Sequence, residues 1–285
     1  MHSQPTPLNG GFYILISWFL SFVFFKYFFQ ELTLNILFFG FIIFLLGFID
    51  DIKPMTANFK LFLSSIIILT FIYFNNFFIE QIHLNFYGII TLNFISGVLF
   101  TGLCFLLLQN SLNMMDGING LAGSISLIWI NLFLFKLEYN FLNILYLNIP
   151  ILIFLYKNFQ NKSFLGDGGV FFLAFIVSIM AILAHSKQKI TADEIFLIFM
   201  IPGIDMLRLF VIRLINKKHP FKPDNNHLHH LLSLKFSRGY SYLIIISFIL
   251  IPSLLTIFNK GITYFLIISN LLIYYFLLRN LEIKK

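Results

Sequence analysis

Ten stretches of this chain are each apolar for long enough to cross a bilayer: roughly 11–29, 32–49, 60–79, 90–109, 120–137, 141–157, 168–186, 194–213, 241–258 and 262–279. A backbone in hydrocarbon has no water to bond its amides and carbonyls, so each stretch must satisfy its own polar groups. That demand leaves helices. The expected fold class is therefore all-α, a polytopic membrane helical bundle of about ten transmembrane helices. Composition agrees: the 285 residues are 59% hydrophobic and 11% charged, about half the charge of an ordinary soluble chain. The 40 phenylalanines carry no functional argument by themselves. A soluble domain on a single anchor is excluded, and nothing in this pattern calls for nucleic acid as a partner. The first ten residues, "MHSQPTPLNG", are polar and do not form a signal peptide.

The single cysteine, Cys104, lies within an apolar run and reads as a small buried residue. It excludes an internal disulfide and a cysteine metal site. The basic residues sort the loops. With the N-terminus, the C-terminus and the loops after spans 2, 4, 6 and 8 on one face, that face holds 13 lysines and arginines, from Lys53 and Lys60 to Arg279 and Lys285. The other holds five: Lys26, Lys136, Lys187, Lys189 and Lys260. The richer face is expected to be cytoplasmic.

Acids contribute little to topology, yet six of seven aspartates lie on or near the same face: Asp50, Asp51, Asp116, Asp167, Asp224 and, deeper, Asp205. Short carboxylates drawn from separate loops onto one face point to a shared site. "GFIDDIKP" puts Asp50 and Asp51 at a helix C-terminus, where they oppose the helix dipole and repel each other. A solvated loop boundary is the alternative, and Lys53 and Lys60 nearby support it. In "QNSLNMMDGINGLAG", Asn110, Asn113 and Asp116 follow one another at i, i+3, i+6, and Gly117 and Gly120 allow a break. Their oxygens suit Mg²⁺, with Mn²⁺ as an alternative. A plain Asp-Gly, Asn-Gly turn explains the glycines but not the preceding asparagines. "FLGDGGVF" reads first as a helix N-cap at Asp167, and also as a cradle of amides and a carboxylate for a metal-bridged anion. In "IPGIDMLRLFVIR", Asp205 and Arg208 are expected to pair at i, i+3, with Pro202 kinking the helix.

"PDNNHLHHLL" places Leu228, Leu231 and Leu232 on one arc of a short helix and His227, His229 and His230 on the other. The expected arrangement is an interfacial helix with its leucines in lipid and its histidines toward protein or substrate. The histidines could take zinc. The oxygen ligands elsewhere, and Lys217, Lys218, His219 and Lys222 just upstream, favour an anion instead.

In order, "PTPLNGG", "GFIDDIKPMTANFKL", "NMMDGINGLAG", "LGDGG" and "HPFKPDNNHLHHLL" resemble the polyprenyl-phosphate N-acetylhexosamine-1-phosphate transferases (glycosyltransferase family 4), over residues 3 to about 240. These include the undecaprenyl-phosphate GlcNAc-1-phosphate transferases and, more distantly, phospho-MurNAc-pentapeptide transferase. The resemblance implies a single transferase domain over 1–285, with 214–240 as a cytoplasmic substrate loop and the active site on the cytoplasmic face of a bacterial inner membrane. It implies transfer of HexNAc-1-phosphate from a UDP-activated amino sugar to polyprenyl phosphate, with release of UMP, at the start of an envelope glycan such as O antigen, capsule or teichoic-acid linkage. By matching positions, Asn113 and Asp167 are expected as Mg²⁺ ligands, and Asp50 and Asp51 as the groups that deprotonate or position the lipid phosphate. Asp116 is expected as nucleophile or base. Lys60, Asn110, Asn119 and the three histidines are expected to bind substrate. Asn119 stands where many members carry Asp, and "PFKPD" leans toward the GlcNAc branch. The family's first transmembrane helix, before "PTPLNGG", is expected to be lacking. Two other readings compete: a divalent-cation or proton-coupled transporter, and an inactive shortened paralogue. A homodimer is the assembly to test.

Overall fold

The computed structural model describes residues 7–24, 33–139, 141–220 and 224–282. The start of the PTPLNGG loop and Lys26, Lys222, Lys284 and Lys285 lie outside them. The ten apolar runs each become a helix: α1 Gly10–Phe24, α2 Thr33–Ile52, α3 Ala57–Asn75, α4 Phe94–Met115, α5 Leu121–Lys136, α6 Phe141–Phe159, α7 Gly166–Ser186, α8 Ala192–Ile215, α10 Arg238–Phe258 and α11 Thr263–Glu282. An eleventh, α9, is short and spans Leu228–Lys235. Seven of the long helices (α2, α3, α4, α7, α8, α10 and α11, the last counted with the turn before it) are apolar and long enough to cross a membrane; α1, α5 and α6 carry shorter apolar stretches.

The bundle is built around α7, which packs on α1, α2, α4 and α5. From Gly166 to His185 only Asp167 and Leu183 are not buried. In lipid such association rests on close packing rather than on water release, so small residues matter where backbones meet. A Cβ on Gly47 of α2 would sit 2.5 Å from the Asp167 carbonyl, and one on Gly11 of α1 2.4 Å from Gly169 Cα. Phe71 fills the α2–α3–α4–α7 seam, edge-on to Phe39, Phe105 and Phe175. The buried indoles find carbonyls, Trp18 at Leu147 (3.1 Å) and Trp129 at Ile198 (3.1 Å), as a polar group out of water must. Large apolar side chains such as Phe38, Phe62, Leu103 and Phe265 remain exposed on the outside of the bundle, the surface a bilayer would cover.

The all-helical expectation needs one correction. Gln81–Leu84 and Gly88–Thr91 (β1 and β2) form an antiparallel hairpin, turned at Gly88 with φ +79°. It sits over the end where α7 finishes and α8 starts. Asn85 N donates to Asp193 Oδ1 at 3.2 Å, and His185 Nε2 lies 3.0 Å from Gln81 O. The ends of α2 and α4, the α6–α7 loop and α9 gather at the opposite end.

Candidate active site

The end opposite the hairpin is organised by two helix termini that meet. The first amides of α7 have no partners within their own helix. Asp51, from the end of α2, supplies them: its Oδ1 accepts from Asp167 N at 2.8 Å and its Oδ2 from Gly168 N at 3.2 Å. This corrects the reading of Asp167 as the N-cap. The cap position is Leu165, and the capping carboxylate comes from 116 residues away. Gly166 is required there: its φ is +72°, and a Cβ would meet Asp51 Oδ2 at 2.6 Å. With its backbone capped from outside, Asp167 is free to turn its carboxylate elsewhere. It meets Lys60, whose Nζ lies 2.6 Å from Asp167 Oδ2 and also bonds Asp50 Oδ2. Asp50 is buried and accepts Met55 N at 2.7 Å through its other oxygen. One lysine thus bridges two carboxylates from different helices.

Asp116 ends α4, its N–H bonded to the Asn113 carbonyl at 3.2 Å. Its side chain keeps an open surface but is surrounded by protein. Burial, then the charges of Asp167 and Asp51, push its pKa up to about 8. Those repulsions place the three carboxylates in one field. The loop that follows is pinned by asparagines. Asn158 accepts Gly120 N and donates to Ser163 O at 2.6 Å; Asn119 donates to Asn161; Ser163 Oγ donates to Asn9 Oδ1 at 2.7 Å. Asn158, 3% exposed at the end of an apolar helix, was not singled out in the sequence. Its one signal there is an amide where burial would be costly unless it were bonded. Asn110 lies a turn deeper in α4 and spends its amide on Leu106 O at 2.7 Å.

The histidines arrive from the other side. His229 is 1% exposed and lies against the Asp116 loop, so that a Cβ on Gly117 would fall 2.1 Å from its Nε2. Neither ring nitrogen has a protein partner among the described residues. Burial, with His230 and His227 beside it, drives its pKa down to about 3, and His230 is lowered by the same causes. A buried, neutral imidazole with both nitrogens unspent is ready for a group that is not protein. His230 is 4.0 Å from it, ring to ring, and His227 stacks at 5.8 Å. The leucines differ from expectation. Leu228, Leu231 and Leu232 are buried inside the bundle at 0–4% exposure, not turned to lipid, and Leu234 is the exposed one at 73%. The leucines seat α9 against α10 and α11, and that seating holds His229 against Gly117. The Gly117 contact gives a test. Gly117→Ala should displace His229 and lower turnover about 10–100-fold, with a loss of stability of about 1–3 kcal/mol that leaves the protein folded; unchanged turnover would remove His229 from the site.

Among the described residues no three His, Cys, Asp or Glu side chains are grouped to enclose a metal on their own. Mg²⁺ does not require that: it keeps waters and is held by one or two carboxylates with substrate phosphates completing the shell. Asn113, one turn before Asp116 on α4, and Asp167, in the same field as Asp116, bear oxygens of the kind such a cation takes.

A family model described as glycosyl transferase family 4 matches residues 33–185. The chain belongs to this family. Within the matched segment lie Asp50, Asp51, Lys60, Asn110, Asn113, Asp116, Asn119 and Asp167; the histidines follow it. The chain is 28% identical over 261 residues to an undecaprenyl-phosphate alpha-N-acetylglucosaminyl 1-phosphate transferase of Thermotoga maritima, covering 91% of this chain and 79% of the relative. It is 32% identical over 245 residues to a phospho-N-acetylmuramoyl-pentapeptide-transferase of Dictyoglomus turgidum, covering 81% and 75%. A probable undecaprenyl-phosphate N-acetylglucosaminyl 1-phosphate transferase of Bacillus subtilis matches at 31% over 148 residues, 48% of this chain and 41% of the relative. As a member of this family, the chain is a phosphosugar transferase.

Proposed function

We propose that this protein transfers a HexNAc-1-phosphate, with GlcNAc as the first donor to test, from a UDP-sugar to polyprenyl phosphate and releases UMP. The observation that carries the reading is the convergence of Asp50, Lys60 and Asp167 with Asp116 and His229, from five separate segments, at one end of an apolar bundle. The reaction brings two anions together. An oxygen of the lipid phosphate attacks the sugar-bearing β-phosphorus; the bond from that phosphorus to the bridging oxygen breaks; UMP leaves with that oxygen. In a direct route Asp116 accepts the proton of the lipid phosphate; in a two-step route Asp116 is itself the attacking group. Lys60, held between Asp50 and Asp167, places a cation beside the reacting phosphates. Asp51 fixes the start of α7, and so the position of Asp167. A divalent cation, Mg²⁺ or in its place Mn²⁺, held by Asn113 and Asp167 would neutralise the diphosphate. Asn119 and Asn110 are proposed to serve the nucleotide, and His227, His229 and His230 the phosphate or sugar, within a 214–240 substrate loop.

The acceptor must lie in the membrane. A cavity of about 300 Å³ lies between α4, α7 and α8, lined almost wholly by apolar side chains including Phe100, Cys104, Ile182, Phe196 and Leu207. It reaches Ser111, just short of Asn113, and supports placement of an isoprenoid chain with its phosphate at the carboxylates. The excess of lysine and arginine supports a cytoplasmic position for that end, with the bundle in a bacterial inner membrane. The product is a lipid-linked sugar that starts an envelope glycan. Transport through the bundle is disfavoured: Asp205, the acid within the middle of α8, is fully buried and bonded on both oxygens. Purified protein with polyprenyl phosphate, Mg²⁺ and a panel of UDP-HexNAc donors should release UMP from at least one. No release from any donor, beside an active relative as control, would refute the assignment.

A further inference from the structure

We propose that Asp205, buried at the centre of α8, is a positioning residue that acts through His227, with Tyr274 of α11 completing its setting. This rests on the transferase reading above and extends it to three residues beyond the matched family segment. Asp205 has no exposed surface, and both of its oxygens are fully used. Oδ1 accepts from Tyr274 OH at 2.8 Å and Arg208 Nη2 at 2.9 Å. Oδ2 faces His227 Nδ1 at 3.0 Å, and Leu228 N reaches the two oxygens at 3.1 and 3.2 Å. Arg208 completes the ring: its Nε donates to Tyr274 OH at 3.0 Å and its Nη2 to Asn226 O at 2.6 Å.

An i, i+3 ion pair needs only Arg208 to satisfy Asp205. Besides Tyr274, its remaining bonds run to His227 and Leu228, where α9 begins, and Arg208 adds the Asn226 carbonyl just before them. An eight-residue helix does not hold its own shape in water, so its placement must come from outside. Here it comes from one carboxylate, which anchors the first turn of α9 while the buried leucines hold the rest. Two consequences follow. A carboxylate at Nδ1 holds a proton there, so His227 keeps Nε2 as the atom it can offer a substrate. The same anchor fixes the register of α9, and so sets His229 against Gly117 and the Asp116 loop. The pairing has the form of a carboxylate that orients a working imidazole, with Tyr274 and Arg208 orienting the carboxylate in turn.

The test uses the full chain in lipid nanodiscs. Asp205→Asn preserves shape but presents an amide to His227. The UMP-release kcat should fall about 100-fold, with KM for the UDP-sugar within about threefold. Nitrogen-15 spectra of the imidazole rings, with His227 assigned by its loss in His227→Gln, should show the Nδ1–H form in the native chain and a switch to Nε2–H in Asp205→Asn. A purely structural role would lower the melting temperature and leave the tautomer of the folded fraction alone. Tyr274→Phe, which removes a single donor, keeps the test open if Asp205→Asn does not fold, with an expected loss of about tenfold in kcat. A native Nε2–H tautomer, a folded Asp205→Asn with unchanged kcat, or an unchanged Tyr274→Phe would overturn the proposal. Absence of UMP from the native chain would count against the transferase reading instead, and the ring spectra would still decide the positioning claim.

Discussion

Asp116→Asn is expected to reduce UMP release by about 10²–10⁴-fold while leaving the folded protein as stable as before. The two halves of this expectation have different causes. Asp116 receives no side-chain hydrogen bond among the described residues, and its surface is open, so the isosteric amide breaks no contact. Burial and the charges of Asp167 and Asp51 raise its pKa to about 8, so an uncharged amide relieves repulsion there instead of removing an attraction. Only a step that needs the ionised carboxylate can then be lost. Rate measurements paired with thermal unfolding in the same detergent separate the two. A variant that turns over normally would remove Asp116 from the chemistry, and one that unfolds would show that the group is structural.

Lys60→Gln has the opposite profile, a loss of both activity and stability. Lys60 is 19% exposed at its side chain and is bonded to both Asp50 and Asp167. Removing its charge leaves two carboxylates facing each other in a half-buried setting. Breaking a buried pair on one side costs about 3–5 kcal/mol, and partial exposure brings the expected figure here to about 2–4 kcal/mol. Asp50→Asn in the Lys60→Gln background should recover much of the stability, because one of the opposed charges is gone and the Met55 amide can still be accepted. It should recover no turnover, because no cation stands beside the phosphates. Recovery of both together would mean that Lys60 only maintains the fold.

What the sequence shows of this molecule depends on how local each cause is. The ten helices were legible because long apolar runs admit little else in lipid, although only seven of them are long and apolar enough to cross a membrane. The Asp205–Arg208 pair was legible too, being a matter of helical spacing, and it is found at 2.9 Å. The gathering of the aspartates could be expected from loop alternation and charge. Their division of labour could not. Nothing near Asp51 announces that it caps a helix starting 115 residues later, and nothing near Asp205 announces Tyr274. The hairpin is not legible because four-residue strands leave no mark at the length scale of a membrane span. The leucines of α9 were assigned to lipid because an amphipathic arc shows which residues avoid water, not whether lipid or protein receives them. Asn158 went unnoticed because one amide in an apolar helix has meaning only through its partners.

The account depends on one shared pocket in which a divalent cation, a diphosphate and these side chains meet. Electron–nuclear double resonance of Mn²⁺ bound to the native protein with UDP-GlcNAc reads that most directly, since phosphorus couples to the metal only when phosphate is a ligand. The account predicts a clear phosphorus-31 coupling that requires both protein and nucleotide sugar and disappears in Asp167→Asn. Native protein without that coupling, or a coupling that survives unchanged in Asp167→Asn, would contradict it.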